Sequence, residues 1–299
     1  MNGAGIPFPG GNLQNPVLLA AGTCGFGREV SEVVDLEALG GLVTKSITWE
    51  PRAGNPAPRV AEFAGGMINS IGLANPGVAA VKREYLPWIR SYLKRARCFL
   101  SLAGHDVDEY IRLAASLDDE DGFQGFELNL SCPNDQSRDG APFALDPVAV
   151  EAVVEGVRRV TSRPLLVKLA PNPPAPREVV AAAEAGGADA LTLVNTLPGL
   201  LLHASTGEPR LGAGRGGVSG PALRGVGLLR VQEARGWTSL PLVGVGGILN
   251  HHHARSYLLA GATAIQIGTL SFADPRGANR VVKGLRRFPL PHLSSGATT

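Results

Sequence analysis

The chain has 299 residues, of which 44% are hydrophobic and 18% are charged, so it carries enough apolar material for a packed core and is not expected to be disordered. Its formal net charge of +2 is too balanced for a nucleic-acid-binding protein that relies on overall charge. Three cysteines exclude a disulfide framework and cannot alone supply the four thiolates of an iron–sulfur cluster. No apolar stretch reaches the ~18 residues of a membrane span, and no signal peptide is recognisable, so we expect a reducing, cytoplasmic setting.

Eight short apolar runs recur along the chain, and each is followed by a stretch with helical periodicity. The runs are apolar on both faces, which is typical of parallel strands covered by helices. Eight such units in roughly 250 residues predict a (β/α)8 TIM barrel, as a single domain over residues 1–299. A doubly wound open sheet is the alternative, because periodicity does not show closure. The predicted strands are Val17–Ala21, Leu42–Lys45, Cys98–Leu102, Phe126–Leu130, Leu165–Leu169, Ala190–Val194, Leu242–Val245 and Ala264–Ile267.

The predicted helices alternate with these strands, and proline and glycine separate the elements. Arg52–Arg59 and Asp135–Phe143 are expected to be functional loop insertions, because long loops in compact domains usually are. Asn2–Gly11 and Ser294–Thr299 are expected to be loose ends. The predicted helices are Arg28–Leu39, Gly77–Arg95, Val107–Leu117, Pro147–Val160, Arg177–Ala185, Pro221–Ala234, His251–Ala260 and Pro275–Arg286.

Lysine and asparagine stand in or directly after several predicted strands, at the end of the barrel where active sites lie. Lys45 ends the second strand and Lys168 lies in the fifth. A buried lysine is costly unless it is paired. Each lysine is therefore expected either to pair with a barrel carboxylate such as Glu127 or to face an anionic or electron-rich ligand. The convergence of two lysines with three asparagines favours the ligand; the asparagines are Asn129, Asn134 and Asn195.

Three glycine-rich segments accompany the last strands. Gly244–Gly247 follows the seventh strand, Gly268 and Thr269 end the eighth, and Gly216–Gly220 is expected to be a turn just before a helix. Backbone amides near a helix N-terminus bind anions, and barrels often bind phosphate after these strands. Each segment alone is a weak signal because glycine is the default turn residue. Together they predict a phosphate-bearing cofactor or substrate.

The cysteines and histidines separate into functional and structural candidates. Cys132 follows a strand and precedes Pro133 in a polar segment, which favours chemistry over the packing role usual for cysteine. Cys24 and Cys98 lie in or beside apolar runs and are assigned to structure. The tract 251–253 consists of three histidines, but consecutive helical residues point in different directions. We therefore expect a solvated helix start there and no metal.

These motifs together resemble dihydroorotate dehydrogenases of class 1, which are FMN-dependent flavoenzymes of pyrimidine synthesis. The resemblance runs nearly end to end, from Asn15 to Pro275. The segments that carry it are Lys45–Thr48, Pro51–Arg59, Asn69–Gly77, Leu128–Asn134, Asn195–Thr196, Gly216–Gly220 and Gly268–Thr269.

The resemblance implies a role for each matching residue. Cys132 is implied as the base that takes a proton from C5 of dihydroorotate, while the flavin accepts the hydride from C6. The resemblance also implies that Lys45 and Lys168 lie beside the flavin, where a lysine stabilises the negative charge of the reduced ring. Lys45 is implied as a second catalytic residue. The implied substrate residues are Asn69, Gly72, Leu73, Asn129, Asn134, Asn195 and Thr196. The implied FMN residues are Ala21, Gly22, Lys45, Ser46, Asn129, Lys168, Val194, Gly217, Gly246, Gly247, Gly268 and Thr269.

Departures and alternatives accompany the resemblance. Ser101 stands where the family usually has Asn, which removes one expected polar contact to flavin or substrate, and the loop 135–140 is longer and more charged than usual. The motifs are closer to class 1B, which works with a separate FAD and iron–sulfur subunit that uses NAD; the fumarate-using class 1A is the alternative. The family implies a homodimer. From the balanced charge and the lack of a long apolar stretch we expect no nucleic-acid or membrane partner. A reductase of another pyrimidine, such as uracil, and a non-redox barrel that binds a phosphate ligand are the competing functions.

Overall fold

The structure is a computed structural model that describes residues 5–130 and 142–287. Short 3-10 turns span Arg28–Val30, Leu36–Ala38, Phe143–Leu145 and Pro221–Leu223, and a π-helical turn spans Val81–Tyr85. The strands are β1 (Val17–Leu19), β2 (Gly41–Val43), β3 (Val60–Phe63), β4 (Gly66–Asn69), β5 (Arg97–Leu102), β6 (Gly125–Asn129), β7 (Leu165–Leu169), β8 (Ala190–Leu193), β9 (Leu197–Gly199), β10 (Gly216–Ser219), β11 (Leu242–Val245) and β12 (Ala264–Ile267). The helices are α1 (Gly77–Ala80), α2 (Leu86–Tyr92), α3 (Val107–Asp118), α4 (Pro147–Arg158), α5 (Pro176–Ala185), α6 (Arg224–Arg235), α7 (His251–Leu259), α8 (Leu270–Ala273) and α9 (Gly277–Arg287).

Eight of these strands close into a parallel barrel, in the order β1, β2, β5, β6, β7, β8, β11 and β12. Closure is decided by β1, in which Leu18 pairs with Gly41 of β2 on one side and Val17 pairs with Ile265 of β12 on the other. The predicted TIM barrel is therefore confirmed, and the open sheet is excluded. The eight barrel strands lie within two residues of their predicted bounds, because their apolar runs are buried on both faces.

The segment from Ile6 to Leu13 closes the bottom of the barrel. The backbone amides of these two residues donate to each other's carbonyl oxygens at 2.7 and 2.8 Å. Phe8 is only 7% exposed, and its ring meets that of Phe99 edge to face at 5.8 Å. The prediction of a loose end over Asn2–Gly11 is therefore wrong for the described part of that segment, because Phe8 and Leu13 complete the apolar lower interior. The predicted loose end Ser294–Thr299 lies outside the described residues.

The predicted helix over Arg28–Leu39 does not form. Two 3-10 turns replace it, and the second is capped by Asp35, whose Oδ1 accepts from the amide of Ala38 at 3.1 Å. The amide of Asp35 donates to Oδ1 of Asn279 at 3.1 Å, which holds the segment against α9. Valine has a restricted χ1 and aspartate favours caps, so neither supports a continuous helix at 30–35.

A second, antiparallel sheet in the order β3-β4-β10-β9 lies over the C-terminal end of the barrel. In it, Gly217 of β10 pairs with Asn69 of β4. The sequence does not predict these four strands, because they are only three or four residues long and three of them contain glycine. The expectation of a turn over Gly216–Gly220 is wrong for its first four residues, which form β10; only Gly220, with φ of 91°, turns the chain toward the next helix.

Candidate active site

A cavity of about 760 Å³ lies between the C-terminal ends of the barrel strands and the antiparallel sheet. Its described lining contains three cationic side chains, those of Lys45, Lys168 and Arg215, and no aspartate or glutamate. A cleft lined by one sign of charge focuses the potential and concentrates ligands of the opposite sign. The cavity therefore suits an anionic ligand. Arg215 directly precedes the Gly216–Gly217 pair, and sequence analysis did not single it out.

Lys168 connects this cavity to the interior of the barrel. Its side chain lines the cavity, and its Nζ lies 3.5 Å from Oε1 of Glu127, a fully buried residue of the neighbouring β6. Oε2 of Glu127 accepts hydrogen bonds from Thr192 Oγ1 at 2.9 Å and from Gln266 Nε2 at 2.6 Å. The expected pairing with a barrel carboxylate is therefore present, and the same lysine also lines the cavity; its contact with a ligand stays a prediction.

A chain of side-chain hydrogen bonds crosses the cavity floor. Ser46 Oγ lies 2.8 Å from Ser101 Oγ and accepts from Asn129 Nδ2 at 3.2 Å. Asn129 Oδ1 accepts from Asn195 Nδ2 at 3.0 Å, and Asn195 Oδ1 accepts from the amide of Thr196 at 2.8 Å. Ser101 is completely buried, so its hydroxyl is committed to this network. Hydrogen bonds that are already made fix the rotamers of both asparagine amides before any ligand binds.

Lys45 follows β2 and lies opposite the loop after β1. Its backbone amide donates to the carbonyl of Gly25 at 2.7 Å. A Cβ atom placed on Gly22 would lie 4.0 Å from Nζ of Lys45, and Gly22 itself has φ of 80°. Glycine at this position meets the positive φ without strain. Lys45 and Gly22 therefore form one wall of the cavity.

The glycine turn after β11 is held from behind by Tyr257. Gly246 and Gly247 have φ of 121° and 64°, and both line the cavity. The hydroxyl of Tyr257 donates to the carbonyl of Gly246 at 2.8 Å and lies 3.2 Å from that of Val245. Burial raises the pKa of this hydroxyl, which keeps it a hydrogen-bond donor. The sequence pattern does not reveal Tyr257, since the residue lies on α7, ten positions beyond the turn.

Leu73 occupies a left-handed backbone conformation beside the cavity. Its φ of 54° is the only positive value at a non-glycine residue among the described residues. Asn75 Nδ2 donates to the carbonyl of Leu73 at 2.7 Å and to Oγ1 of Thr48 at 2.7 Å, while its Oδ1 accepts from the amides of Thr48 and Gly77. Such strain of about 1–3 kcal/mol persists where surrounding contacts determine it, and it clusters at functional sites. The sequence shows Asn75 only as part of a longer motif.

Comparisons with known proteins identify the family of this chain. A family model described as dihydroorotate dehydrogenase matches residues 5–288. This chain belongs to the dihydroorotate dehydrogenase family. It is 45% identical over 276 residues to a putative dihydroorotate dehydrogenase A (fumarate) of Solibacter usitatus, a match that covers 92% of this chain and 90% of that protein. It is 40% identical over 290 residues to the catalytic subunit of a dihydroorotate dehydrogenase B (NAD(+)) of Citrifermentans bemidjiense, over 96% of this chain and 93% of the relative.

Further comparisons agree with this assignment. The catalytic subunit of a dihydroorotate dehydrogenase B (NAD(+)) of Desulforudis audaxviator is 42% identical over 283 residues, which cover 95% of this chain and 91% of that protein. Among solved structures, a DHODH of Eimeria tenella in complex with ferulenol superposes with a TM-score of 0.77 at 21% identity, over 91% of this chain and 81% of that one. This last likeness concerns the fold.

The predicted site residues that the structure describes surround the same cavity. Their roles in binding stay predictions, but their convergence shows that the family motifs meet at the barrel mouth. Cys132 and Asn134 lie outside the described residues, as does most of the predicted loop insertion Asp135–Phe143. The predicted residues that line the cavity are Ala21, Gly22, Lys45, Ser46, Asn69, Gly72, Leu73, Asn129, Lys168, Val194, Asn195, Thr196, Gly217, Gly246, Gly247, Gly268 and Thr269.

The other predicted loop insertion, Arg52–Arg59, braces the cavity from outside. Asn55 Nδ2 donates to Oγ of Ser70 at 2.7 Å, and the amide of Asn55 donates to the carbonyl of Ile71 at 3.0 Å. Arg59 donates through Nε to the carbonyl of Asn55 at 2.5 Å, which folds the loop onto itself. Because Ser70 and Ile71 line the cavity, this loop supports the wall that carries Asn69 and Leu73.

Cys24 and Cys98 are buried inside the fold, in keeping with the structural role assigned to them. Burial raises the pKa of the Cys24 thiol from 9.0 to about 12, with a smaller contribution from Glu29, and burial also raises that of Cys98. A buried neutral thiol is a poor nucleophile and base. Neither side chain lines the cavity.

The three histidines at the start of α7 face different surroundings. His252 is exposed, whereas a Cβ on Gly284 of α9 would lie 2.4 Å from Cγ of His251, which shows how closely that ring packs. Nδ1 of His253 lies 2.9 Å from a guanidinium nitrogen of Arg224, and burial, then this cation, lower the pKa of His253. The tract is therefore only partly solvated. Within residues 5–130 and 142–287, no cluster of histidine, cysteine and acidic side chains could hold a metal, and no helix could span a membrane.

Proposed function

We propose that this chain oxidises dihydroorotate to orotate in de novo pyrimidine biosynthesis, as a single FMN-binding barrel domain over residues 1–299. The observation that carries the proposal is the cavity of a dihydroorotate dehydrogenase fold lined by three cations, without a described acidic residue. Dihydroorotate bears a carboxylate, and FMN bears a phosphate, so both are anions suited to that lining.

The chain's residues fit FMN. A cavity of about 760 Å³ lies within the usual range of ~300–1,000 Å³ for small-molecule sites. The glycine turns leave backbone close to the cavity without side chains, as a phosphate requires. When bound, FMN supplies the hydride acceptor for C6 of dihydroorotate. The proposed FMN residues are Ala21, Gly22, Lys45, Ser46, Asn129, Lys168, Val194, Gly217, Gly246, Gly247, Gly268 and Thr269.

The asparagines suit the urea-like edge and the carboxylate of the substrate. Each amide offers two donor hydrogens and an oxygen with two lone pairs. Asn129 uses one donor on Ser46 and one lone pair on Asn195, which leaves one of each for a ligand. Preformed contacts of this kind lower the cost of ordering the site on binding. The proposed substrate residues are Asn69, Gly72, Leu73, Asn129, Asn134, Asn195 and Thr196.

Cys132 is the proposed base. Its thiolate would take the proton from C5 of dihydroorotate while the hydride leaves C6. Lys45 is the second proposed catalytic residue, and its ammonium stabilises negative charge that develops beside it. The two other cysteines do not compete for this role, because both are buried away from the cavity.

The proposed electron acceptor is NAD, reached through a separate subunit with FAD and an iron–sulfur cluster. Support comes from relatives that are named as catalytic subunits of NAD(+)-dependent enzymes, and from the three cysteines of this chain, which cannot supply a four-thiolate cluster. Fumarate is the alternative acceptor, and it appears in the name of the Solibacter usitatus relative. We also propose a homodimer.

The test is anaerobic mixing of the purified protein with dihydroorotate. A yellow protein whose flavin absorbance bleaches supports the proposal, and re-oxidation is then followed after separate additions of fumarate and of NAD, with and without cell extract. Bleaching by dihydrouracil in place of dihydroorotate identifies a reductase of another pyrimidine. A yellow protein that bleaches with dihydroorotate excludes a barrel that binds a phosphate ligand without redox chemistry.

The base is tested by replacing Cys132 with alanine or serine. Turnover is expected to fall in neutral buffer while flavin content stays unchanged, because the base contacts the substrate and not the cofactor. Replacing Cys24 with alanine provides the matched control, since that thiol lies outside the cavity. Unchanged turnover in both Cys132 variants would remove Cys132 from the mechanism.

A further inference from the structure

The interior of the barrel is built in two layers of opposite character. Side chains two positions apart along a strand point the same way, so each lower-layer residue has an upper-layer residue two positions later. The lower layer is apolar and closed by Phe8 and Leu13. The upper layer lies directly beneath the cavity. It takes one residue from each barrel strand or from the two positions that follow the strand: Ala20, Lys45, Ser101, Glu127, Lys168, Thr192, Val245 and Gln266.

The upper layer contains three charged side chains. They belong to Lys45, two positions after β2, to Glu127 of β6 and to Lys168 of β7, and the other five strands contribute uncharged ones. Glu127 is completely buried and Lys168 is 5% exposed, so the carboxylate touches no solvent and the ammonium very little. Lys168 meets the cavity, whereas Glu127 lies behind it and does not line it.

The two oxygens of Glu127 have different partners. Oε2 accepts from Thr192 and Gln266, while Oε1 has no hydrogen bond and lies 3.5 Å from the ammonium of Lys168. Thr192 and Gln266 thus fix the carboxylate so that Oε1 is left for Lys168. A buried ion pair is weak evidence for stability, because desolvation offsets the attraction. Removing one partner of such a pair is destabilising, because it leaves an unpaired buried charge. A group in that position tends to lose its charge by gaining or giving up a proton.

We propose that Glu127 is a positioning residue that keeps Lys168 in its ammonium form at the cavity, so that a flavin bound there is reduced without proton uptake by this lysine. The inference rests on the proposed function, because it requires a flavin bound in the cavity that Lys168 lines. Without the carboxylate, Lys168 is a buried cation that has lost its anionic partner, and while a bound flavin is oxidised it gives up its proton. Reduction by two electrons and one proton would leave one negative charge on the bound flavin, and in this variant a second proton from solvent would return to Nζ of Lys168.

The test measures the reduction potential of the bound flavin against a reference dye at a series of pH values from about pH 6 to about pH 9. In Glu127→Gln, one additional proton per two electrons changes the reduction equilibrium tenfold per pH unit, so the slope is expected to steepen by about 30 mV per pH unit relative to wild type. Thr192→Val is the matched control, because it removes a hydrogen bond to the same carboxylate but leaves the ion pair. Its slope is expected to match that of wild type.

Adding Lys168→Met to Glu127→Gln removes the group that takes up the proton, so the double variant is expected to regain the wild-type slope. Equal slopes in wild type and Glu127→Gln, or a steeper slope that survives Lys168→Met, would overturn the inference. If Glu127→Gln does not fold, wild type and Lys168→Met are compared, and a difference between their slopes overturns it. A protein without flavin defeats the proposed function and this inference together, whereas a bleaching flavin with unchanged slopes defeats this inference alone.

Discussion

Asn75 offers a sharp test of how the strained Leu73 backbone serves substrate binding. Replacing Asn75 with aspartate removes the Nδ2 donor to the carbonyl of Leu73 but keeps an oxygen for the amides of Thr48 and Gly77. The lost bond no longer holds the left-handed conformation of Leu73, which stores about 1–3 kcal/mol. If the substrate has to restore that conformation, its affinity falls by about 5- to 140-fold, at tenfold per 1.4 kcal/mol.

The assay is steady-state oxidation of dihydroorotate. KM is expected to rise by that factor, with a smaller change in kcat at saturation. The free-energy cost of restoring the conformation of Leu73 falls on substrate binding, and in the saturated enzyme that step is complete. Glycine adopts positive φ without strain, so Asn75→Asp is also made in a Leu73→Gly background. There its effect on KM is expected to be much smaller, and the new negative charge acts equally in both backgrounds.

Thr48→Val is the control for the other Nδ2 contact of Asn75. It removes the acceptor for Nδ2 without touching Leu73, so KM is expected to stay near that of wild type. The reasoning is refuted if Asn75→Asp raises KM by the same factor in both backgrounds, or if it leaves KM unchanged.

Three other predictions follow from buried contacts. Tyr257→Phe removes the hydroxyl that donates to the carbonyl of Gly246, and a hydrogen bond of this kind contributes about 0.5–1.5 kcal/mol. The dissociation constant of the flavin is therefore expected to rise about 2- to 12-fold in a fluorescence titration, and an unchanged constant would contradict this. Phe8→Ala empties the barrel floor and is expected to lower the free energy of unfolding by about 3–5 kcal/mol in urea, against less than about 0.5 kcal/mol for the exposed Val148→Ala. Cys24 stays protonated in the folded protein up to about pH 12 but ionises near pH 9.0 when the chain unfolds, so the folded state holds one more proton and the free energy of unfolding falls as the pH rises between these values. Cys24→Ala is expected to reduce that decrease, measured by urea titrations at a series of pH values. An unchanged decrease would contradict the burial of this thiol.

The barrel strands could be predicted because their signal is local. Leu165–Leu169, Leu242–Val245 and Ala264–Ile267 are short, mainly apolar runs that are buried on both faces, and they form strands with the predicted bounds. Arg28–Leu39 shows the limit of such signals. The segment has helical periodicity, but it forms two short 3-10 turns. Asp35 caps the second turn and contacts Asn279, which is more than 200 positions away in sequence, and these contacts favour the turns over a continuous helix.

The site divides in the same way. The motifs bring the candidate residues to attention because glycine runs, lysines and asparagines stand at strand ends, and the fold gathers those that it describes around one cavity. The sequence did not predict the supporting roles of Asn75 and Tyr257, because these side chains bond to backbone carbonyls, those of Leu73 and Gly246. No sequence pattern shows which carbonyl a distant side chain reaches.

The sequence by itself determined the eight strand units, the family and the chemical types at the barrel mouth, because these depend on local composition and order. Only the tertiary structure decided that the barrel closes, that β3, β4, β9 and β10 cover its mouth, and that Glu127 stands behind Lys168. Each of these depends on pairings between distant segments, and their geometry exists only once the strands are in register.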